Sequence, residues 1–150
     1  MRAKTTNLTR HEFTIGGGAR EKLVVRINGR ERPDAVDNDD GNWLHASVEI
    51  IARRFAGSCV CSLRTEDFAD FRSELALLTD NPTATASFSS MEDQLALRIS
   101  ASGSGELTIA GHVSDGAIGD CLQFKIEADQ SSLPQVLQDI DRILAEFPIR

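Results

Sequence analysis

The sequence predicts an α+β fold: a single curved, mainly antiparallel sheet of about seven strands, in the order β-β-β-α-β-β-β-β-α, with two helices packed on one face. Three observations predict it. Apolar and polar residues alternate over several short stretches, the period of half-buried strands. Two other stretches repeat apolar residues at i, i+3, i+4 and i+7, the period of amphipathic helices. Short links join the later strands, which favours antiparallel neighbours.

The first two strands are His11–Ile15 and Lys22–Asn28, with Gly16-Gly-Gly-Ala-Arg20 as a hairpin loop between them. Leu23, Val25 and Ile27 alternate with Val24, Arg26 and Asn28. A polar loop, residues 30–42, leads to a long strand opened by Trp43. Leu44, Ala46, Val48, Ile50 and Ala52 share one face of it, and Trp43, His45, Ser47, Glu49 and Arg53 the other. Beyond Gly57 the buried set becomes Cys59, Cys61 and Leu63, so the phase moves from even to odd positions. A period of two cannot change phase without an extra residue, which predicts a bulge or tight turn near Ala56-Gly57.

Thr65 then reads as an N-cap, with Glu66 and Asp67 in a first turn whose dipole favours acids. Phe68, Phe71, Leu75 and Leu78 recur at helical spacing until Asp80-Asn-Pro82 stops the helix. Four strands follow, marked by Ala84–Phe88, Leu95–Ile99, Leu107–Val113 and Leu122–Ile126, with turns at Ser90–Asp93, Ser102–Gly105 and Asp115–Gly119. A last helix carries Leu133, Val136, Leu137, Ile140, Ile143, Leu144 and Phe147, with Pro134 in its tolerant first turn and Pro148 at its exit. No linker or repeat interrupts the chain, so residues 1–150 are expected to form one domain, with 1–10 a mobile N-terminal segment.

The chain has 150 residues, 41% of them hydrophobic, enough for a core and against disorder or a fibrous class. Its net charge of −7 is unevenly placed. Residues 1–32 carry eight Lys/Arg against three Glu, a surplus of +5; residues 33–150 carry eight against twenty acids, or −12. So acidic a body argues against a nucleic-acid partner. No apolar run reaches the ~20 residues that span a bilayer, which argues against a membrane. The charged start lacks the apolar region of a secretory signal, and three cysteines make an odd count, so the expected compartment is the cytoplasm. Cys59 and Cys61 read as buried, reduced thiols.

Candidate chemistry is sparse. Asp37-Asn-Asp-Asp-Gly-Asn42 invites a calcium reading, but its glycine comes one position early and Val48 stands where a bidentate Glu belongs. His11, His45 and His112 lie far apart in no metal-type spacing, and no serine sits in Gly-x-Ser-x-Gly. The sequence therefore predicts no enzyme, no cofactor and no metal. More informative is the open sheet face, a broad polar surface with charges of both signs that includes His45, Arg53 and His112. Trp43 beside the acidic loop adds a residue type common at interface hot spots. The candidate partner-binding residues are Asp37, Asp39, Asp40, Trp43, His45, Arg53 and His112. A sheet-mediated homodimer is a possible alternative use of these surfaces, and a small-ligand site in the concavity of the sheet a weaker one.

The order of motifs resembles a known family. Asp40-Gly-Asn-Trp-Leu44 opens a strand, followed by Phe55-Ala-Gly57 and Glu66-Asp-Phe-Ala-Asp-Phe71. Gly105-Glu-Leu-Thr-Ile-Ala-Gly111, Leu122-Gln-Phe-Lys-Ile126, Asp129-Gln-Ser-Ser-Leu133 and Phe147-Pro148 come later. This series, over roughly residues 40–148, resembles the WapI-type immunity proteins and their uncharacterised bacterial relatives. The resemblance implies a small cytoplasmic antidote that binds the toxic domain of a contact-delivered bacterial toxin and blocks it without chemistry. It supplies no catalytic residues.

Overall fold

The structure, a computed structural model, describes residues 11–116 and 119–150. Strands β1 (His11–Gly18), β2 (Glu21–Arg30), β3 (Trp43–Ala52) and β4 (Phe55–Arg64) form one antiparallel sheet in the order β1-β2-β3-β4. Helix α1 (Thr65–Asp80) leads to a second antiparallel sheet, β5 (Thr85–Ser89), β6 (Leu95–Ala101), β7 (Glu106–Ser114) and β8 (Cys121–Asp129), again in sequence order. A single 3₁₀ turn, Gln130–Ser132, then opens α2 (Leu133–Glu146).

The α+β class and both helices match expectation, but eight strands in two sheets replace one sheet of about seven. The stretch from Trp43 to Leu63 is not one strand. It is β3 and β4, paired from Trp43↔Arg64 to Ala52↔Phe55. In that register an even position on β3 faces an odd one on β4, which produces the phase change seen in the sequence. Of the expected bulge or tight turn, the structure has the tight turn, at Arg53-Arg54 rather than at Ala56-Gly57. Two-residue hairpin turns favour Asn or Gly because a central residue must take positive φ. Here Arg53 takes it, at 59°, and so escapes the usual signature.

The glycine run also differs from expectation. Gly16, Gly17 and Gly18 belong to β1, and the hairpin turns at Ala19-Arg20. The β1–β2 register shifts between Gly16 and Gly18, where Gly16 has φ 154° and a Cβ would fall 2.1 Å from the Glu21 carbonyl oxygen. A Cβ on Gly17 would lie 2.9 Å from the carbonyl oxygen of Glu127 on β8. These glycines let the two sheets approach at one corner.

One apolar cluster joins everything. From the first sheet come Phe13, Ile15, Leu23, Val25, Leu44 and Ile50; from the second, Phe88, Leu97, Ile99, Ile109 and Ile126. Helix α1 inserts Phe68, Phe71, Leu75 and Leu78, and α2 adds Leu133, Val136, Ile140 and Ile143, all fully or nearly fully buried. At its centre Phe13 meets Phe68 and Phe71 at ring separations of 6.3 and 5.8 Å, and both meet Phe88 at 5.4 and 5.5 Å. So the one buried stripe of α1 bridges two sheets, rather than covering one, while its other side, with Asp70, Ser73 and Leu77, is exposed. Its first residue is Thr65, which makes Arg64 the cap position; Arg64 N donates to the Asp67 carboxylate at 3.0 Å.

The expected mobile segment, residues 1–10, lies outside the described residues, as do Ala117 and Ile118 of the turn between β7 and β8. Among the described residues no helix is long and apolar enough to cross a membrane.

Candidate interaction surface

The acidic loop, residues 31–42, joins β2 to β3 and is held from within. The Asp37 carboxylate accepts from the backbone N–H of Asp40 at 2.6 Å and of Asp39 at 3.0 Å. Those amide bonds, that of Asp40 first, hold the Asp37 carboxyl below the usual carboxylate range. Gly41 N donates to the Asp37 carbonyl at 3.0 Å, and Arg32 pairs with Asp40 at 3.0 Å. Asp39 stays exposed. With an Asp37 oxygen occupied by two amides, the loop is an Asx-type turn rather than a cation cradle.

The loop is also held from outside, by residues the sequence reading did not single out. Asn42 is fully buried. Its amide nitrogen donates to the Asn38 carbonyl at 3.2 Å and to Glu66 Oε1 at 2.5 Å, and its amide oxygen accepts from Arg150 N at 2.8 Å. Its own carbonyl accepts from Thr65 N, at the start of α1. The Arg150 guanidinium donates to the carbonyls of Pro33 and Ala35 at 2.6 and 2.7 Å. Arg30 donates to those of Gly41 and Pro148 at 2.5 and 2.6 Å. Loop, helix start and the segment after α2 thus form one hydrogen-bonded knot. No local signal could have found it, because the bonds that bring in the segment after α2 span 108 to 118 residues of chain.

Trp43 follows the knot directly. It lies half-buried on the outer face of β3, with the Arg64 guanidinium 5.9 Å from its ring centroid. Two residues on, His45 is exposed, its Nδ1 3.5 Å from Glu31 Oε1, which also accepts from the Ser62 hydroxyl. On the other sheet, His112 Nε2 sits 3.2 Å from Asp93 Oδ1. Gln94 links the two regions: its side chain accepts from Ser62 N at 3.1 Å and its carbonyl from Ser114 N at 2.8 Å.

The structure therefore groups Asp37, Asp39, Asp40, Trp43 and His45 at one end of the first sheet, but not Arg53. Arg53 lies at the far end of β3, about 30 Å away at the usual strand rise. There it bonds through its backbone N–H to the Arg20 carbonyl at 2.7 Å and pairs with Glu21 at 3.2 Å, beside Arg54. Along β2 and β3 a tip carrying Arg20, Lys22, Arg53 and Arg54 thus stands opposite the acidic loop, an arrangement that cuts across the division at residue 32. The single polar face expected from alternation is two faces. Arg26, His45, Ser47 and Glu49 are on one sheet, and Arg98, His112, Gln123, Lys125 and Glu127 on the other.

Both histidines meet a carboxylate, yet the geometry is not that of a nucleophilic triad. Ser62 and His45 converge on the same Glu31 oxygen, whereas a triad needs the hydroxyl bonded to the imidazole. A surface depression of about 500 Å³ is lined by Val24, Arg26, Ser47, Glu49, Ile51 and Ser58 among others and contains neither histidine. Among the described residues no three His, Cys, Asp or Glu side chains group as metal ligands. Cys61 is buried, which pushes its thiol up to about 12, while Cys59 is half-buried and Cys121 exposed.

The sequence model of the Immunity protein WapI-like family matches residues 14–148. That match takes in β2 and β1 from Thr14 onward, which lay outside the resemblance over 40–148. No curated protein matches the chain. Solved structures share its fold. The plant transcriptional regulator PBF-2 aligns with a TM-score of 0.56 at 11% identity, covering 95% of this chain and 84% of that one. A guide-RNA-binding protein complex bound to a gRNA aligns at 0.53 and 11% identity, covering 96% and 95%.

Proposed function

The chain belongs to the Immunity protein WapI-like family, and from that premise we propose that it is a non-enzymatic antidote that binds and neutralises a cognate bacterial toxin domain in the cytoplasm. The family match over residues 14–148 carries the proposal. The contact falls at the acidic end of the first sheet, on Asp39, Asp40, Trp43 and His45. Three features support that choice. The carboxylates stand on a loop held rigid by Asn42 and Arg150, so little ordering entropy opposes binding. A large aromatic side chain lies beside them. An acidic, pre-organised loop suits a basic toxin surface of the kind that grips nucleic acid, and like charge would steer nucleic acid itself away. Proteins of this fold include a transcriptional regulator and a guide-RNA binder. In this chain the −12 body makes a phosphate backbone the poorer partner.

The test is co-expression with the toxin domain encoded beside it. Cells should survive with the wild-type chain. The double substitution Asp39→Lys/Asp40→Lys should lower affinity by about tenfold or more, mainly through a slower and less salt-dependent on-rate. If that toxin kills equally well with the wild-type chain present, the antidote reading of the pair is wrong.

A further inference from the structure

β4 is an outer strand of its sheet, and part of its edge carries backbone groups with no partner among the described residues. The alternation of an antiparallel ladder identifies them. Ser62 N donates to the Gln94 side chain and Arg64 N to the Asp67 carboxylate, so these residues turn their backbone groups away from β3. At the two-residue repeat, Ala56, Ser58 and Val60 turn theirs the same way. The N–H groups of Ser62 and Arg64 are capped; among the described residues those of Ala56, Ser58 and Val60 are not. All three are exposed, Val60 to 72%, and Phe55 at the head of the strand to 69%. Exposed edges are normally protected by charge, proline or a bulge. From Phe55 to Leu63 there is no charged residue and no proline, and the β3–β4 register runs without a shift.

We propose that this edge pairs with β4 of a second copy of the chain, antiparallel about a two-fold axis through Ser58. Such an axis sets Ser58 opposite Ser58, Ala56 opposite Val60 and Phe55 opposite Cys61. The three unpaired residues of each copy then meet one another, giving about six ladder hydrogen bonds that take up the N–H and C=O of Ala56, Ser58 and Val60. On the outer face the small Ala56 lies beside the exposed Val60, and apolar area on both copies leaves water. Charge also favours a second copy as occupant. Beyond the paired stretch, the exposed Arg54 of one copy comes level with Ser62 of the other, whose hydroxyl is bonded to Glu31. Symmetry makes that opposite-charge meeting twice. The pairing reaches the acidic loop only at Glu31 and does not depend on the antidote reading.

Sedimentation and light scattering of the chain at about 100 µM, a concentration that populates a dimer of low-micromolar Kd, should give a dimer. Ser58→Lys and Ser58→Glu each place like charges face to face at the axis on an exposed site, so each variant should be monomeric with an unchanged circular dichroism spectrum. Mixing the two variants in equal amounts should restore the dimer, which a misfolded variant could not do. A monomeric wild type, dimers that both substitutions leave intact, or a mixture that stays monomeric would overturn the proposal. So would a monomeric wild type whose grip on the toxin domain is lost with Ser58→Lys, because the edge would then belong to a strand of the toxin.

Discussion

At the scale of single residues, Asn42 organises more of this surface than any of the acids around it. Fully buried, it holds together the loop, the first turn of α1 and Arg150. Replacing it by alanine leaves the Glu66 oxygen and the Arg150 amide without their partner, and an orphaned buried group costs about 1–3 kcal/mol. Asn42→Ala should therefore lower unfolding stability by about 2 kcal/mol in urea titration. It should also speed amide exchange at Asp39 and Asp40, and both effects can be measured without any partner. The acids and Trp43 were legible in the sequence because they are neighbours along it. Asn42 was not, because an asparagine in a polar loop looks like any solvated turn residue until the chain brings Arg150 back to it.

Among the elements, the helices were the easiest to read. A buried stripe at 3.6 residues per turn, such as Phe68, Phe71, Leu75 and Leu78, repeats often enough to be unambiguous. The hairpin of β3 and β4 was hidden by its turn, since two arginines carry none of the usual signal for positive φ. That choice has an energetic consequence. A non-glycine residue in the left-handed region is disfavoured by about 1–2 kcal/mol, part of which glycine returns through its own greater loss of chain entropy. Arg53→Gly should therefore raise stability by about 0.5–1 kcal/mol; the exposed Arg53–Glu21 pair it removes contributes little. A lowered melting temperature in this variant would show that the ion pair, not the backbone, governs the turn.

For the whole molecule, alternation tells which face of a strand is buried but not which sheet the strand belongs to. That is why two sheets read as one. The four-phenylalanine centre shows how their cores are joined, with Phe13 and Phe88 from different sheets meeting Phe68 and Phe71 of α1. Phe71→Ala should cost about 3–5 kcal/mol, and near-ultraviolet and far-ultraviolet circular dichroism should still lose both sheets in one coincident transition. Separate transitions would mean that the sheets fold as independent units. The knot at Asn42 bears on timing as well. Its donors at residue 150 are made more than a hundred residues after the loop they hold. During synthesis both sheets can form around α1 while the acidic loop still waits for them, so the order of birth along the chain is the reverse of the order in which this surface matures. A nascent chain halted within α2 would already hold much of its core and yet lack the rigid loop proposed to meet the toxin.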